Sequence, residues 1–364
     1  MIIFSTYILF GIMLILLIFN LSIYSALNKL FKFRKKSNGS NINISIVVAA
    51  KNETESIPNL IVALLKQNFP KDNFEVIIVD DNSEDDTFLK AKSICTELEN
   101  FRVIKAENKI FKAKKGALDL GIKLAKYPYI LITDADCEPE VEWINSFARG
   151  FANKNDFLFG IAPYKRKNSL TNLVARFENL RASIIVFAFS KLGFPYSAAA
   201  RSFGFSKEAF NKINGYENTN ATLSGDDDLL LQEAIKFNFK IGMVTENNSF
   251  VFSNTKNNFT DFSNQKARHT STSIYYSFKS KLLLAIWHLI NLTSLFSILA
   301  LPYGNIFLLP FFIKIIIDTF VLNNFQNNFG YKINPILFIF LQINYELNLI
   351  YFFLKGLKFP NRWD

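Results

Sequence analysis

The sequence has 364 residues, with 41 Lys plus Arg against 31 Asp plus Glu, a formal net charge of +10 and a hydrophobic content of 50%. This length suffices for two domains, and this hydrophobic content excludes a disordered chain. The two cysteines, Cys95 and Cys137, favour a reducing compartment over a disulfide-rich secreted fold, and the basic residues form no aromatic-rich motif that would predict a nucleic-acid partner.

The first predicted element is a membrane anchor over residues 1–28, which contain no Asp, Glu, Lys or Arg. About 20 apolar residues cross the roughly 30 Å of a bilayer's hydrocarbon core. A cleaved signal peptide would carry its charges before the apolar run. Here five basic residues follow it: Lys29, Lys32, Arg34, Lys35 and Lys36. Because basic residues favour the cytoplasmic side, we expect the chain beyond this basic linker, residues 29–43, to lie in the cytosol.

The next part of the chain alternates short apolar runs with amphipathic segments, which predicts βαβ units and a mostly parallel sheet. The predicted strands are 44–50, 74–80, 101–106 and 129–133, and the predicted helices are 56–67, 86–98 and 113–126. Two more strands, 157–162 and 241–244, extend the domain to residue 278. A helix predicted at 170–192 fits either an amphipathic core helix or a helix on the cytosolic leaflet.

The C-terminal region, residues 279–364, is predicted to hold two or three transmembrane helices. Residues 282–313 carry no formal charge and are interrupted only at Pro302 and Gly304, which indicates two membrane segments joined by a turn. A third apolar segment covers 335–354. Three crossings would leave the last basic residues outside, so one segment is alternatively re-entrant or interfacial. Three charges lie in these segments and favour helix packing or an interfacial position: Lys314, Asp318 and Glu346.

Acidic residues follow two of the predicted strands. Asp134 and Asp136 come directly after strand 129–133, with the small Ala135 between them. Carboxylate oxygens suit Mg²⁺ or Mn²⁺, with a diphosphate completing the coordination shell. Asp80 ends strand 74–80 and Asp81 follows it, at the sheet edge where a nucleotide would lie. The alternatives are a solvated acidic turn in the first case and a helix N-cap in the second.

Two further clusters carry charge next to predicted helices. Lys112, Lys114 and Lys115 precede a helix whose positive end would add to their attraction for a phosphate, although a solvated lysine run has the same pattern. Residues 226–228 are three consecutive acids after Gly225. One or two acids at the start of a helix would interact favourably with the positive end of its dipole. Three in succession repel one another, and a raised carboxyl pKa would suit a general base.

Five motifs in this order resemble a family 2 glycosyltransferase with the glycosyltransferase A fold, over residues 44–278. They are S-I-V-V-A-A-K-N-E, V-D-D-N-S-E-D-D-T, K-K-G-A-L, T-D-A-D-C and S-G-D-D-D-L-L-L. The resemblance implies an α/β, Rossmann-like catalytic domain with a mostly parallel central sheet, flanked by N- and C-terminal transmembrane helices. It also implies a multi-pass protein of the cell (inner) membrane with a cytoplasmic catalytic domain and a role in cell envelope polysaccharide synthesis.

The resemblance implies a role for each matched residue. Ala50, Glu53 and Asp81 would contact the nucleoside, with Asp80 in support, and Lys115 would lie near the phosphates. Asp134 and Asp136 would bind the metal, Asp136 most directly. Asp227, with Asp226 beside it, would be the catalytic base. Gln265 and Arg268 match the family's Gln-x-x-Arg-Trp motif, which helps to hold the donor diphosphate and the acceptor; His269 replaces its Trp and marks the acceptor region.

The implied reaction transfers a sugar from a nucleotide-diphosphate donor, with a UDP-sugar as the expected donor, to a lipid-linked or polysaccharide acceptor at the cytosolic membrane face. The anomeric configuration is inverted. Its partners are the nucleotide sugar, the lipid-linked or glycan acceptor and the bilayer, with no nucleic acid. Two alternatives stay open: a catalytically degenerate membrane scaffold, and a haloacid dehalogenase-type phosphotransferase. The second is disfavoured because Glu138 stands where that class requires Thr or Val.

Overall fold

The computed structural model describes residues 2–32 and 42–358, which form two compact units. The α/β unit comprises residues 42–165 and 196–255, and the helical unit comprises 2–32, 166–195 and 256–358. Most of the predicted basic linker, residues 33–41, and the C-terminal residues 359–364 lie outside the described part of the chain.

The α/β unit is built on a seven-stranded sheet. Its strands are β1 (Ile44–Ala50), β2 (Phe74–Asp80), β3 (Phe101–Lys105), β4 (Tyr129–Asp134), β6 (Phe157–Gly160), β7 (Phe203–Ser206) and β8 (Ile241–Val244). They lie in the order β3-β2-β1-β4-β7-β6-β8 across the sheet. Strands β1 to β4 pair in parallel, and β7 alone runs antiparallel to both of its neighbours. The mostly parallel sheet predicted from the alternating pattern is therefore confirmed.

Helices cover this sheet, as expected of strands buried on both faces. They are α2 (Ile57–Leu65), α3 (Thr87–Cys95), α4 (Ala113–Leu124), α5 (Trp143–Ala152), α7 (Lys207–Lys212) and α8 (Asp228–Lys236). Every residue of β2 is buried, which explains why its sequence is mostly apolar and why residues 76–79 form an unbroken apolar run. Helix α4 lies so close to the sheet that a Cβ on Gly121 would sit 2.4 Å from Cγ1 of Val47. Glycine at this position thus brings the helix close to β1.

Two features of this unit were not predicted. Strand β7 is inserted between β4 and β6, and a two-stranded antiparallel sheet joins β5 (Cys137–Pro139) to β9 (Val251–Ser253). The small sheet fixes the segment that follows Asp136, because Cys137 pairs with Ser253. Strands β5, β7 and β9 are short, and short segments show little hydrophobic periodicity from which a strand could be predicted.

The helical unit contains α1 (Ile2–Lys32), α6 (Leu170–Lys191), α9 (Phe259–Ser271), α10 (Phe278–Phe296), α11 (Leu308–Phe325) and α12 (Pro335–Lys358). Four segments of the described chain are long and apolar enough to span a membrane: Leu9–Lys32, Phe278–Tyr303, Asn305–Phe329 and Pro335–Leu357. They include the predicted anchor and the three predicted C-terminal segments, with a turn at Gly304 between the second and the third.

A buried ionic cluster joins three helices of this unit. Arg181 of α6 lies 2.8 Å from Asp318 of α11 and 3.6 Å from Glu346 of α12, and Lys314 contacts the same two carboxylates at 2.9 and 3.6 Å. Both carboxylates and Lys314 are fully buried. Because two cations face two anions, the opposite charges of these four residues cancel. The charged C-terminal segments pack against each other, which was one of the two predicted arrangements.

The compact units group the chain differently from the predicted boundaries. Helices α6 and α9 were expected within a catalytic domain over residues 44–278, but they belong to the helical unit. The reason lies in their contacts: α6 contributes Arg181 to the ionic cluster, and Phe262 of α9 packs edge-on against Phe352 of α12 at 5.8 Å.

Candidate active site

The site is built at the carboxyl edge of three adjacent parallel strands. Strand β1 lies between β2 and β4, with Ala50 paired to Asp80 on one side and Ala49 paired to Asp134 on the other. The predicted nucleoside residues and the predicted metal residues therefore flank the same strand end. This edge is where open parallel sheets bind their ligands.

The loops after β1 and β2 are hydrogen-bonded to each other. Asn52 donates its N–H to Ser83 Oγ at 3.0 Å, and its side-chain oxygen accepts from the N–H of Glu84 at 2.9 Å. Glu53 donates its N–H to Thr87 Oγ1 at 2.7 Å. Asn52 adopts a positive φ of 56°, a conformation that asparagine tolerates better than most residues. These bonds place Glu53, a predicted nucleoside contact, beside the start of α3.

The acids after β2 are both buried. Asp81 donates its N–H to the carbonyl of Ala50 at 2.7 Å, and its carboxylate forms an ion pair with Lys109. One oxygen of Asp80 accepts from the N–H of Ser83, while its buried Oδ1 has no hydrogen-bond partner among the described residues. A buried carboxylate oxygen without a partner is costly, and a ligand with a hydrogen-bond donor would relieve that cost.

The second acidic pair ends β4. A carboxylate oxygen of Asp134, a carboxylate oxygen of Asp136 and Sγ of Cys137 lie within 4.8 Å of one another. The Cys137 thiol donates to Asp136 Oδ1 at 3.6 Å. Burial raises the pKa of this thiol, and the charges of Asp136 and Asp134 raise it further, so the sulfur stays protonated at neutral pH. The two carboxylates supply oxygen donors, which fit Mg²⁺ or Mn²⁺.

Lys114 connects this pair to the third acidic motif. Its ammonium lies 2.7 Å from Asp134 and 2.5 Å from Asp226, although the two acids are about ninety residues apart in the sequence. Burial acts to lower the pKa of Lys114, but the charges of Asp134 and Asp226 outweigh it and raise the pKa well above its ordinary value. The site therefore already holds one cationic group between its carboxylates.

The third motif turns at Gly225, whose φ of +86° lies in the left-handed region that favours glycine. Asp227 follows as the N-cap of α8 and accepts from the N–H of Asp228 at 2.7 Å and from the N–H of Ala200 at 2.6 Å. Burial raises its pKa well above the ordinary value, as do the charges of Asp228 and Asp226. A carboxyl group with a raised pKa, held at a fixed angle, is what a general base requires.

Lys115, which was predicted to lie near the phosphates, is buried, and its ammonium donates to the backbone carbonyls of Thr219 and Thr222. It thereby anchors the loop that leads to Gly225. Burial lowers the pKa of Lys115, and the nearby charge of Asp226 acts to raise it. Its role toward a phosphate stays a prediction, and the ion pairs with Asp134 and Asp226 belong to the neighbouring Lys114.

The last predicted site residues, Gln265, Arg268 and His269, all lie on α9 of the helical unit. His269 is exposed, whereas Gln265 and Arg268 are partly buried. Lys266 of the same helix forms an ion pair with Glu178 of α6 at 2.8 Å. Their roles toward a donor or an acceptor stay predictions.

Three residues near the carboxylates lie in none of the sequence motifs and were not predicted. Lys109 pairs with Asp81, and Arg201 stacks over the ring of Tyr164 at 4.4 Å while its carbonyl accepts from Thr133. The hydroxyl of Tyr216 is buried without a hydrogen-bond partner in the described chain, and burial raises its pKa, as does the charge of Asp226.

Comparisons with known proteins agree with this geometry. Residues 45–213 match the Glycosyl transferase family 2 sequence model. This segment is a family 2 glycosyltransferase domain. The resemblance read from the five motifs is thereby confirmed.

The fold agrees as well. A solved structure of the mannosyltransferase PcManGT from Pyrobaculum calidifontis, in complex with GDP-Man and Mn²⁺, superposes with a TM-score of 0.56 over 96% of this chain and 99% of that chain, at 14% identity. At this identity the likeness concerns the fold alone, and it confirms the predicted glycosyltransferase A fold.

Curated relatives match over shorter stretches. The glycosyltransferase AglE of Haloferax volcanii is 27% identical over 28% of this chain and 33% of its own length. The beta-monoglucosyldiacylglycerol synthase of Trichormus variabilis is 33% identical over 29% of this chain and 23% of its own length. The dolichyl-phosphate beta-glucosyltransferase of Dictyostelium discoideum is 31% identical over 41% of this chain and 47% of its own length. The chain thus spans less than half the length of each of these three relatives.

Proposed function

We propose that this protein transfers a sugar from a nucleoside-diphosphate donor to a hydroxyl group of a lipid-linked or glycan acceptor. The observation that carries the proposal is the convergence of Asp134 and Asp226 on the ammonium of Lys114, at an edge that β1 shares with Asp80. Nucleoside-binding groups, a cation-binding pair and a candidate base then belong to one α/β unit. The relatives named above are transferases of sugars, two of them to lipid acceptors by name.

The donor nucleoside would bind over the loops after β1 and β2. Ala50, Glu53 and Asp81 would contact it, and Asp80 would hold the second loop in place through Ser83. The buried Oδ1 of Asp80 supports this assignment, because it lacks a donor among the described residues. UDP is the nucleotide we favour.

Asp134 and Asp136 would hold a divalent metal, Mg²⁺ or Mn²⁺. When bound, the metal would offset the negative charge that develops on the departing diphosphate. The two oxygen donors at the end of β4 support this role, as does the cation that Asp134 already contacts. Lys114 would add its own positive charge beside the phosphates, in the role that the sequence suggested for Lys115.

Asp227 would remove the proton from the acceptor hydroxyl. Its raised pKa lets it take up a proton more readily than an ordinary carboxylate, and the two backbone N–H groups fix its direction. The hydroxyl oxygen would then attack the anomeric carbon from the face opposite the diphosphate, which inverts the configuration. Gln265, Arg268 and His269 would contribute from α9 to the donor diphosphate and the acceptor.

The membrane assignment rests on the four apolar segments. We propose a multi-pass protein of the cell (inner) membrane with the α/β unit in the cytosol and a role in cell envelope polysaccharide synthesis. Lys355, near the end of α12, donates to Ser263 of α9, the helix that precedes α10. Three full C-terminal crossings would put these two residues on opposite sides of the bilayer. This contact supports the alternative in which one C-terminal segment is interfacial.

The test is sugar transfer by the full chain in membranes. The assay incubates them with a panel of nucleotide sugars, with Mn²⁺, with Mg²⁺ or with excess chelator, and identifies the glycosylated product by mass. We expect product only with a divalent ion, and its loss in Asp136→Asn and in Asp227→Asn. Lys71→Gln, an exposed change that precedes β2 at the end of the strand away from Asp80, is the matched control. Transfer at the control rate in both Asp variants would contradict the roles assigned to Asp136 and Asp227. No transfer by the wild type with any donor would favour the scaffold alternative.

A further inference from the structure

The helical unit contains a basic cavity of about 680 Å³ between the start of α6 and the start of α12. Four cationic residues line it and no acidic residue does: Arg166, Lys167, Arg176 and Lys332. None of the four forms an ion pair with a carboxylate in the part of the chain that the structure describes. This arrangement leaves a concentration of positive charge without its counter-charge.

Arg176 is the residue that points most clearly to a ligand. Its side chain is only 7% exposed, and its Nε has no hydrogen-bond partner among the described residues. Its guanidinium lies over the ring of Tyr331 at 5.4 Å, which supplies a cation–π contact but no negative charge. Buried charges in proteins are normally paired, because an unpaired one loses its hydration without compensation. An anion in the cavity would supply the missing partner.

The electrostatics of the cavity agree with this. Burial acts to lower the pKa of Arg176, Tyr331 acts to raise it, and the positive charge of Arg166 lowers it again, so the two arginines repel each other. Helix α6 begins here with Ser169 as its N-cap, and the positive end of its dipole adds to the same field. A phosphate bound between the arginines would remove this repulsion.

The cavity also has an apolar wall. Leu170, Leu173, Ile333 and Leu337 line it together with the cations, and Leu170 is 76% exposed. Leu337 lies within the apolar segment Pro335–Leu357, close to its first residue. Cations at the start of such a segment lie at the level where lipid headgroups meet the acyl chains. A free phosphate would use the cations alone, whereas a lipid would use both walls.

We propose that this cavity binds the phosphate group of a membrane lipid, with the lipid chain along the leucine wall. The chemistry recognised is a phosphate ester with a net negative charge on an apolar chain, which a polyprenyl phosphate and an anionic phospholipid share and a zwitterionic phosphatidylcholine lacks. The inference does not depend on the proposed sugar transfer, since binding is measured without any nucleotide sugar.

The experiment measures binding to the purified full chain in a neutral detergent. Four probes are titrated separately: farnesyl phosphate, dihexanoyl phosphatidic acid, dihexanoyl phosphatidylcholine and inorganic phosphate. We expect the first two to bind and to raise Tm by about 3 °C or more at saturation, and the last two to do neither at the same concentrations. The two binding probes separate an isoprenoid from a diacyl lipid, and binding of either one supports the proposal.

The location is tested with variants. Arg176→Gln should weaken binding of the phosphate lipids at least about tenfold, as expected for the loss of one charged contact. Because Arg176 is buried, the exposed double variant Arg166→Gln/Lys332→Gln provides the same test without a folding risk. Lys279→Gln, an exposed change elsewhere in the helical unit, should bind like the wild type. Equal affinity for inorganic phosphate, binding of neither lipid, or wild-type affinity in the double variant would each overturn the proposal.

Discussion

Replacing Lys114 by Met should destabilise the α/β unit in a way that a divalent metal reverses. The ammonium contacts Asp134 and Asp226, whose side chains are 30% and 11% exposed. Removing one partner of a buried ion pair leaves the other charge uncompensated, at a cost of about 3–5 kcal/mol. Most of this cost arises at Asp226, because Asp134 is more hydrated. For a domain of this size the loss corresponds to a fall in Tm of roughly 6–20 °C.

The dependence on pH follows from the same contacts. Burial acts to raise the pKa of Asp226, but Lys114 outweighs it and lowers the pKa, so the stability from this pair is present above the ordinary carboxyl range and is lost as pH falls through the lowered value. In the variant the effect of Lys114 is gone, and burial, the largest influence, acts to raise that pKa against the weaker opposing charge of Lys115. The difference in stability between wild type and variant should therefore be large at pH 7 and shrink toward about pH 4–5.

The assay is thermal unfolding followed by intrinsic fluorescence, since Trp143 is fully buried in this unit. Lys112→Met, which removes an exposed lysine two residues earlier, is the matched control and should keep the wild-type Tm. Added Mn²⁺ should raise the Tm of the Lys114 variant more than that of the wild type, because the freed carboxylates bind it. An unchanged Tm, or a Mn²⁺ effect equal in both proteins, would refute the ion-pair reasoning.

Three further predictions concern other parts of the molecule. Asp227→Asn should lower the transfer rate by about 10²–10⁴-fold. The wild-type rate, measured at saturating donor, should rise with pH through the raised pKa of Asp227, because only the deprotonated form accepts a proton. A rate that does not change with pH would count against this base. Gly121→Ala should destabilise the α/β unit by about 1–3 kcal/mol in chemical denaturation, because its Cβ would overlap Val47. Arg181→Met should lower the Tm of the detergent-solubilised protein, because Asp318 loses a contact at 2.8 Å, and Arg181→Lys should recover part of it; equal Tm values for the two variants would contradict that account.

The sequence predicted the sheet well where its strands are fully buried. Strands β1 and β2 occupy the predicted residues 44–50 and 74–80, because a mostly apolar run of this length is typical of a strand covered on both faces. Strand β7 was missed, since Phe203–Ser206 is four residues long and includes a glycine. Its position between β4 and β6 depends on contacts across the sheet that no local pattern contains.

The choice between Lys114 and Lys115 shows a second limit. Adjacent residues of a helix point about 100° apart, so only one of the two can face a given neighbour. Which one faces the carboxylates depends on how α4 packs, and Lys115 instead reaches the carbonyls of Thr219 and Thr222. The motif therefore located both lysines, and tertiary packing decides which of them forms the ion pairs with Asp134 and Asp226.

The assignment of α6 shows a third limit. Its sequence fits an amphipathic core helix as well as a helix on a membrane surface, and both alternatives were open. The buried partners of Arg181, namely Asp318 and Glu346, are more than 130 residues further along the chain. Only their proximity in the fold shows that α6 belongs with the apolar C-terminal helices.

The central claim is that carboxylates from distant parts of the chain form a metal-dependent site for a nucleoside diphosphate. The measurement that tests it most directly is calorimetric titration of UDP, and of GDP in parallel, into the full chain with Mn²⁺ or with chelator. We expect binding at least about tenfold tighter with Mn²⁺, and loss of this gain in Asp136→Asn but not in the exposed control Lys71→Gln. Equal affinity with chelator, or a metal effect that survives in Asp136→Asn, would contradict the claim.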